Sequence, residues 1–306
     1  MTHRFSITLA QLTYFVECAK TLNMTAASQQ MHVAQSAVST AISHLERALD
    51  TTLFIRQHSK GIILTSAGES LLRDTQHLFA LLEDTIDSLQ ADRAEIRGSI
   101  TVSCFNTLAP FLLPQLIARL RVKHPDLTLE VIEGDYEEGL AALRGGRAEI
   151  AIGYNLTQAE DIERQIVGRA RPYVLLPTDH PLAQRPEIAL AELADEPFVM
   201  LDLPDSRDYF ADILARAGIT PPIGYRASNY ETVRSMVAAG LGFSLLNQRP
   251  RIDGTYTGGH LATVEIADEV PSLEISVSSL AQVALSGRAL AVAETVREVI
   301  ADQRRG

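Results

Sequence analysis

Two patterns of apolar positions succeed one another along the chain: a helical period over roughly the first ninety residues, then short apolar runs alternating with helical stretches. Within Thr25 to Leu49, TAASQQMHVAQSAVSTAISHLERAL, the residues Val38, Ile42, Leu45 and Leu49 recur at intervals of four, three and four, which makes one helix face apolar. The opposite face holds Ser36, Thr40, Ser43 and Arg47, with Gln35 and Ser39 beside it. These are small or amide-bearing groups that can approach a base edge or a phosphate. Ahead of them Ala26, Ala27, Gln30 and Met31 predict a short helix capped by Thr25, and His32, Val33 and Ala34 a tight turn. Thr8 and Gln11 have capping-box spacing before a further stripe, Leu9, Leu12, Val16, Ala19 and Leu22. Leu53 to Ile55 and Ile62 to Leu64 are apolar runs around a polar tip bearing Arg56, His58, Lys60 and Gly61, which predicts a β-hairpin with charges aimed at a nucleic-acid backbone. The helix pair alone fits an ordinary enzyme as well as a helix-turn-helix; the flanking helix and hairpin favour the DNA-binding reading.

Thr65 and Ser66 can cap a long helix from about Ala67 to Arg93. Its seam, Leu71, Thr75, Leu78, Leu82, Thr85 and Leu89, is heptad-like, and a helix of about 27 residues, roughly 40 Å long, would pair with a second copy of itself. Gly98 ends the helical regime. Ile100–Cys104, Leu127–Asp135 and Ala148–Tyr154 read as strands separated by helices, and a second series follows from Arg171 to Asn247, closed by a strand at Leu273–Ser279 and a helix from about Gly287 to Gln303. A βαβαβ series predicts a mostly parallel sheet with ligand-facing loops at the carboxyl ends of its strands.

Charge sharpens this division. Residues 1–65 hold five basic residues against three acidic ones, a net of +2, so the other 241 residues carry −13 of the chain's −11. A small basic head on an acidic body suits DNA binding in which two heads act together. Hydrophobic residues make up 46% of the sequence, enough for cores in two or three domains. No signal-like start or membrane-length apolar run occurs, and the two cysteines fit a reducing compartment, so a cytoplasmic location and no membrane partner are expected. The eight histidines lack metal-ligand spacing, no phosphate-binding glycine motif occurs, and no local base accompanies Cys104. An enzyme is therefore not expected, nor a metal or cofactor.

The order LxxFxxxAxxxxxTxAAxxxxxxQSAVSxxIxxLExxLxxxLFxRxxxxxxLTxAG resembles the N-terminal winged helix-turn-helix of LysR-type transcriptional regulators. The later GSITV, LLPQL, HPDLTLEVIEG, GRAEIAI, HPLA and VAAGLGFSLL segments resemble that family's effector domain. The resemblance implies a winged head over 1–65, a linker and dimerisation helix with a hinge over 66–97, and a two-lobed α/β effector-binding domain over 98–306. Lobe I would comprise about 98–168 and 267–306 and lobe II about 169–266, with crossings near Val167–Arg171 and Val264–Asp268. DNA contacts fall on Gln35, Ser36, Ser39, Thr40, Ser43, Arg47, Arg56 and Lys60. Effector contacts, carried over by position, fall on Asn106, Thr107, Asp135, Tyr136, Asp202, Leu203, Ser206, Ser228, Asn229 and Asn247. The start of the helix after Asn106 and Thr107 would favour a carboxylate or another acceptor. Asp135, Asp202 and Asp205, however, suit a ligand with N–H donors or one with a single anionic end.

Two positions depart from the family's pattern. Ala34 stands where members often carry a capping Ser, and Thr40 where many carry Arg or Lys, which shifts weight onto Arg47, Arg56, Lys60 and dimerisation. The expected partners are double-stranded promoter DNA, a second copy in a dimer or tetramer, a small-molecule effector and RNA polymerase. The alternatives are an effector-independent DNA-binding regulator and, for residues 98–306 alone, a solute-binding protein.

Overall fold

The protein is described from a computed structural model over residues 7–57, 61–90, 96–156, 159–204 and 206–303. It divides into two compact units, Met1–Ala94 with Arg144–Arg147, and Glu95–Leu143 with Ala148–Gly306.

In the first unit the order is α1 (Leu9–Thr21), α2 (Met24–Gln30), α3 (Gln35–Leu49), β1 (Phe54–Gln57), β2 (Gly61–Leu64) and α4 (Ser66–Gln90). Thr8 and Gln11 form the expected capping box, the Thr8 N–H donating to Gln11 Oε1 at 2.8 Å and the Gln11 N–H to Thr8 Oγ1 at 3.2 Å. The cap of α2 is Asn23, not Thr25. Asn23 keeps an extended backbone and its Oδ1 accepts from the Thr25 and Ala26 N–H groups at 2.9 and 3.2 Å, whereas Thr25 is already inside the helix. The α2–α3 turn passes through His32 in the left-handed region and closes with the Val33 N–H donating to Ser28 O.

The α3 stripe is buried as expected, Val38, Ile42 and Leu45 packing with Ala27 of α2, Leu53 and Phe54, whereas in α1 Val16 and Ala19 are buried but Leu9 and Leu22 are exposed, and Phe15 and Cys18 fill the core instead. Each Leu or Phe so buried contributes roughly 1.5–3 kcal/mol of transfer free energy. Strands β1 and β2 pair antiparallel from Phe54–Leu64 to Gln57–Gly61, so Arg56 and Gly61 sit in strands rather than at the tip. The tip, with His58 and Lys60, lies outside the described residues, as does the Arg56 side chain.

Two glycines hold this wing in place. Gly61 has φ +87°, and a Cβ there would lie 2.5 Å from Leu22 O; a Cβ on Gly68 would lie 2.3 Å from Leu53 O. Thr65 caps α4, its Oγ1 accepting from the Gly68 N–H and donating to Thr52 O. At 25 residues α4 is roughly 37 Å long. Leu71 packs on the head's core, whereas Leu78, Leu82 and Ile86, one turn apart, are exposed on the chain taken singly. The Leu89 side chain and Arg93 lie outside the described residues.

The second unit runs β3 (Gly98–Phe105), α5 (Ala109–Lys123), β4 (Leu127–Gly134), α6 (Tyr136–Arg144), β5 (Ile150–Tyr154), β6 (Ile162–Ala170), β7 (Tyr173–Pro177), β8 (Glu187–Ile188), β9 (Phe198–Leu201), α7 (Ser206–Arg216), β10 (Ile223–Ala227), α8 (Tyr230–Ala238), β11 (Ser244–Leu246), β12 (Leu261–Ile266), β13 (Leu273–Leu280) and α9 (Gly287–Gln303). One sheet has strand order β4-β3-β5-β13-β6. The other has the order β11-β7-β12-β8, and the parallel pair β10-β9 joins it through the bridge between Phe198 and Phe243.

Both sheets are mixed rather than mostly parallel. β3, β4 and β5 run parallel, but β13 is antiparallel to β5 and β6, and β7 is antiparallel to β11 and β12. The reason is topological: the chain passes from one sheet to the other between Ala170 and Tyr173 and returns between Ile266 and Leu273, and these crossing strands enter against the βαβ direction. α9 packs back on the first sheet, its buried Val296 and Val299 backed by ion pairs from Lys123 to Glu298 and from Arg119 to Asp302.

Candidate nucleic-acid interface and effector cleft

On α3 the expected polar face is turned to solvent: Gln35, Ser36, Thr40, Ser43 and Arg47 are exposed and Ser39 is half-buried. The buried Val38, Ile42 and Leu45 fix its rotation. No side chain caps the helix start, where Ala34 stands. The face carries internal bonds, Ser43 Oγ donating to Ser39 O at 2.9 Å and Arg47 Nε to Ser43 O at 3.2 Å. Ser43 thus offers outward its acceptor capacity, while the amide of Gln35 brings both a donor and an acceptor.

Glu46, which the sequence reading left aside, ties this helix to the wing. Its Oε1 accepts from the Leu53 and Phe54 N–H groups at 2.8 and 3.3 Å. The signal was the carboxylate after Leu45 on an otherwise basic and neutral face.

Between the two sheets of the second unit lies a cavity of about 520 Å³. It is lined by Asn106 and Thr107 at the start of α5, Phe111, Ser228 and Asn229 before α8, and the segment from Pro250 to Tyr256. A second, much smaller space of about 20 Å³ adjoins it, sharing Thr107 and Tyr230 and adding Tyr154, Ser206 and Asn247. Asn106, Thr107, Ser206, Ser228, Asn229 and Asn247 are therefore brought together. Asn229 also caps α8, its Oδ1 accepting from the Glu231 and Thr232 N–H groups.

Four expected contacts go elsewhere. Asp135 and Tyr136 line a separate space of about 30 Å³ inside the first lobe. Asp202 faces Arg207 at 3.1 Å and Arg226 at 3.5 Å, and Leu203 is a buried core residue. Asp205 lies outside the described residues. The anion cradle expected at the start of α5 is partly occupied. The Asn106 N–H donates to Gly134 O, the Leu108 N–H to Phe105 O and the Phe111 N–H to Leu108 O, and Pro110 has none.

Gln248, one residue beyond the last expected contact, is the hub of the smaller space. Its carbonyl accepts from the Tyr173 and Tyr230 hydroxyls at 2.7 and 2.5 Å, and its Nε2 donates to the Tyr154 hydroxyl of the other lobe at 3.0 Å. Asn247 beside it holds both crossings: its Nδ2 donates to Ala170 O and to the Tyr209 hydroxyl, which in turn donates to Pro271 O. The one sequence cue was an amide pair, Asn247–Gln248, directly after the apolar run FSLL.

Burial pushes the Tyr154 phenol up to about 12, with the hydrogen bonds to Gln248 and Thr107 pulling the other way. Burial, reinforced by the charge of Glu133, likewise pushes the Cys104 thiol to about 12, and burial with the charge of Glu17 pushes Cys18 to about 11. At neutral pH both sulfurs are protonated and poor nucleophiles.

An exposed reading helix with a wing, carried in one chain with a two-lobed α/β unit enclosing a cleft, defines a ligand-responsive DNA-binding regulator. Residues 9–69 match the profile described as bacterial regulatory helix-turn-helix protein, lysR family, and residues 93–301 the one described as LysR substrate binding domain. The chain is 30% identical over 283 residues to the HTH-type transcriptional regulator YvbU of Bacillus subtilis, covering 92% of this chain and 96% of that protein.

Among solved structures, HinK, a LysR family transcriptional regulator from Pseudomonas aeruginosa, is 33% identical with a TM-score of 0.65 over 96% of this chain and 98% of its own. Full-length OxyR from Pseudomonas aeruginosa, solved as a single-residue variant, gives a TM-score of 0.78 at 26% identity over 96% and 97%. The chain belongs to the LysR family: it is a DNA-binding transcriptional regulator whose second domain is built to respond to an effector. Its relatives are regulators, not enzymes. Among the described residues no helix is long and apolar enough to cross a membrane.

Proposed function

We propose that residues 1–65 are the reading head, 66–97 the linker and dimerisation segment, and 98–306 the effector domain, and that two copies paired through α4 hold a two-fold symmetric promoter site. One observation carries the reading of the head: α3 buries Val38, Ile42 and Leu45 and leaves the opposite face, with Gln35, Ser36, Thr40, Ser43 and Arg47, open to solvent. The exposed row Leu78, Leu82 and Ile86 supports pairing, since three apolar side chains one turn apart need a partner to be covered. Gln35, Ser36 and Ser39 read bases, with Thr40 and Ser43 next; Arg47, Arg56 and Lys60 hold phosphates. Effector bound between the lobes favours one arrangement of the subunits over another and so changes the promoter complex and its use by RNA polymerase.

Binding of the full chain to its promoter, measured against salt, tests the head. Gln35→Ala is expected to relax sequence preference, and Arg56→Ala to weaken all sequences alike and flatten the salt slope by about one. Unchanged specificity in Gln35→Ala would move the reading face elsewhere. For the cleft, stabilisation by a bound effector is expected to disappear in Thr107→Val.

A further inference from the structure

The chemistry of the effector follows from which charges around the cleft are still available. Of the side chains lining the 520 Å³ cavity the cation is Arg234, and it is fully committed to the protein. It is 2% exposed; its Nε donates to Glu231 at 2.9 Å and its Nη2 to Gly254 O at 2.8 Å. Glu231 is equally engaged, its second oxygen accepting from the Tyr256 N–H. This pair is a clamp that holds the Pro250–Tyr256 segment against α8.

What remains open is of the opposite kind. Glu133 lines the cavity, is exposed, and makes no ion pair among the described residues. The buried Oδ1 of Asn106 has no hydrogen-bond partner and so asks for a donor. The walls are flat and apolar: Phe111 meets Tyr230 edge-to-face at 5.7 Å, and Ile252 and Tyr256 stand at the rim 73% and 92% exposed, surface that a bound ring would cover. The Asn106, Leu108 and Phe111 N–H groups at the start of α5 are bonded and Pro110 has none, and a carboxylate entering here would meet Glu133 and find no unpaired cation.

We infer that the cleft of this regulator takes a planar aromatic ligand that is neutral or cationic and carries N–H donors, with Asn106 and Glu133 receiving those donors and Phe111, Tyr230 and Tyr256 holding the ring. The inference rests on the reading of the interlobe cavity as the effector site. It excludes aromatic carboxylates as good ligands.

Three probes of one shape and different charge decide it: benzamidine, benzamide and benzoate, titrated into the full chain by ligand-observed NMR. Benzamidine and benzamide are expected to bind at least tenfold more tightly than benzoate. Glu133→Gln, an exposed substitution, is expected to remove the advantage of benzamidine over benzamide, and Asn106→Leu to weaken both. Phe111→Ala is expected to weaken all three, with a thermal unfolding scan confirming that each variant folds.

If benzoate binds as well as the others and still depends on Phe111, the charge inference fails while the cleft stands. If no probe binds, or binding ignores Phe111 and Asn106, the cavity is not the ligand site and both readings fall.

Discussion

The reading head and the effector domain place function on opposite sides of their cores. In the head, a small core of α1, α2, α3 and the wing turns one helix by its buried stripe, so the functional groups are whatever the stripe leaves outside. In the effector domain the important polar groups lie inside, between two sheets, and most are spent on one another: Gln248 with three tyrosines, Asn247 with both crossings, Arg234 with Glu231 and the Gly254 carbonyl. An exposed face can be altered with little cost in stability. An interior network ties binding, hinge and stability together, because removing one member leaves another buried and unpaired.

The comparison can be broken at its strongest point first. Gly68→Val puts a branched side chain where Leu53 O is 2.3 Å from a Cβ, so the head is expected to lose about 3 kcal/mol or more, seen in chemical denaturation as early loss of the head's transition and of DNA binding. The effector domain's own unfolding should stay in place. Glu46→Ala, which frees the Leu53 and Phe54 N–H groups, is expected to cost about 1–3 kcal/mol by the same measurement and to weaken DNA binding through the wing.

Gln248→Leu tests the interior side of the contrast. It deprives the Tyr154 hydroxyl of its partner from the other lobe and is expected to cost about 1–2 kcal/mol in the effector domain while leaving operator affinity of the ligand-free protein within twofold. Loss of DNA binding with the stability unchanged would reverse the contrast. Gln35→Ala should do the converse: stability within about 0.5 kcal/mol of the parent, discrimination at one base position reduced by about 1–3 kcal/mol, read from binding to single-base operator variants.

The last effect shows only in alkali. Cys18 and Cys104 have folded-state pKa values raised to about 11 and about 12, so each favours the folded state fully below the ordinary thiol pKa and loses that contribution as pH rises through the folded values. Unfolding midpoints should therefore fall between about pH 9 and 12, and Cys104→Ala should lessen the slope for the effector domain alone.

The sequence by itself determined the head. Period and spacing located α1, α3, the capping box at Thr8 and Gln11, the turn at His32 and the outward face of α3, because a helix one layer deep on a core has its orientation written in its apolar stripe. The misplacement of the α2 cap at Thr25 instead of Asn23 is local: both residues cap well, and only the backbone conformation chooses. The alternation of strands and helices in the second unit was equally legible, as was the gathering of Asn106, Thr107, Ser206 and Asn247 at strand ends.

Tertiary structure decided the rest. Strand direction in the two sheets depended on where the chain crosses, which no run of β-branched residues records. Whether Asp202 faced a ligand or Arg207 and Arg226, whether Leu203 was wall or core, and whether Arg234 was a receptor or a clamp depended on partners 5 to 24 residues away in the chain. Polar side chains carry the same capacity in every context, and in a closed interior it is the packing of distant segments that fixes which of them remain free for a ligand.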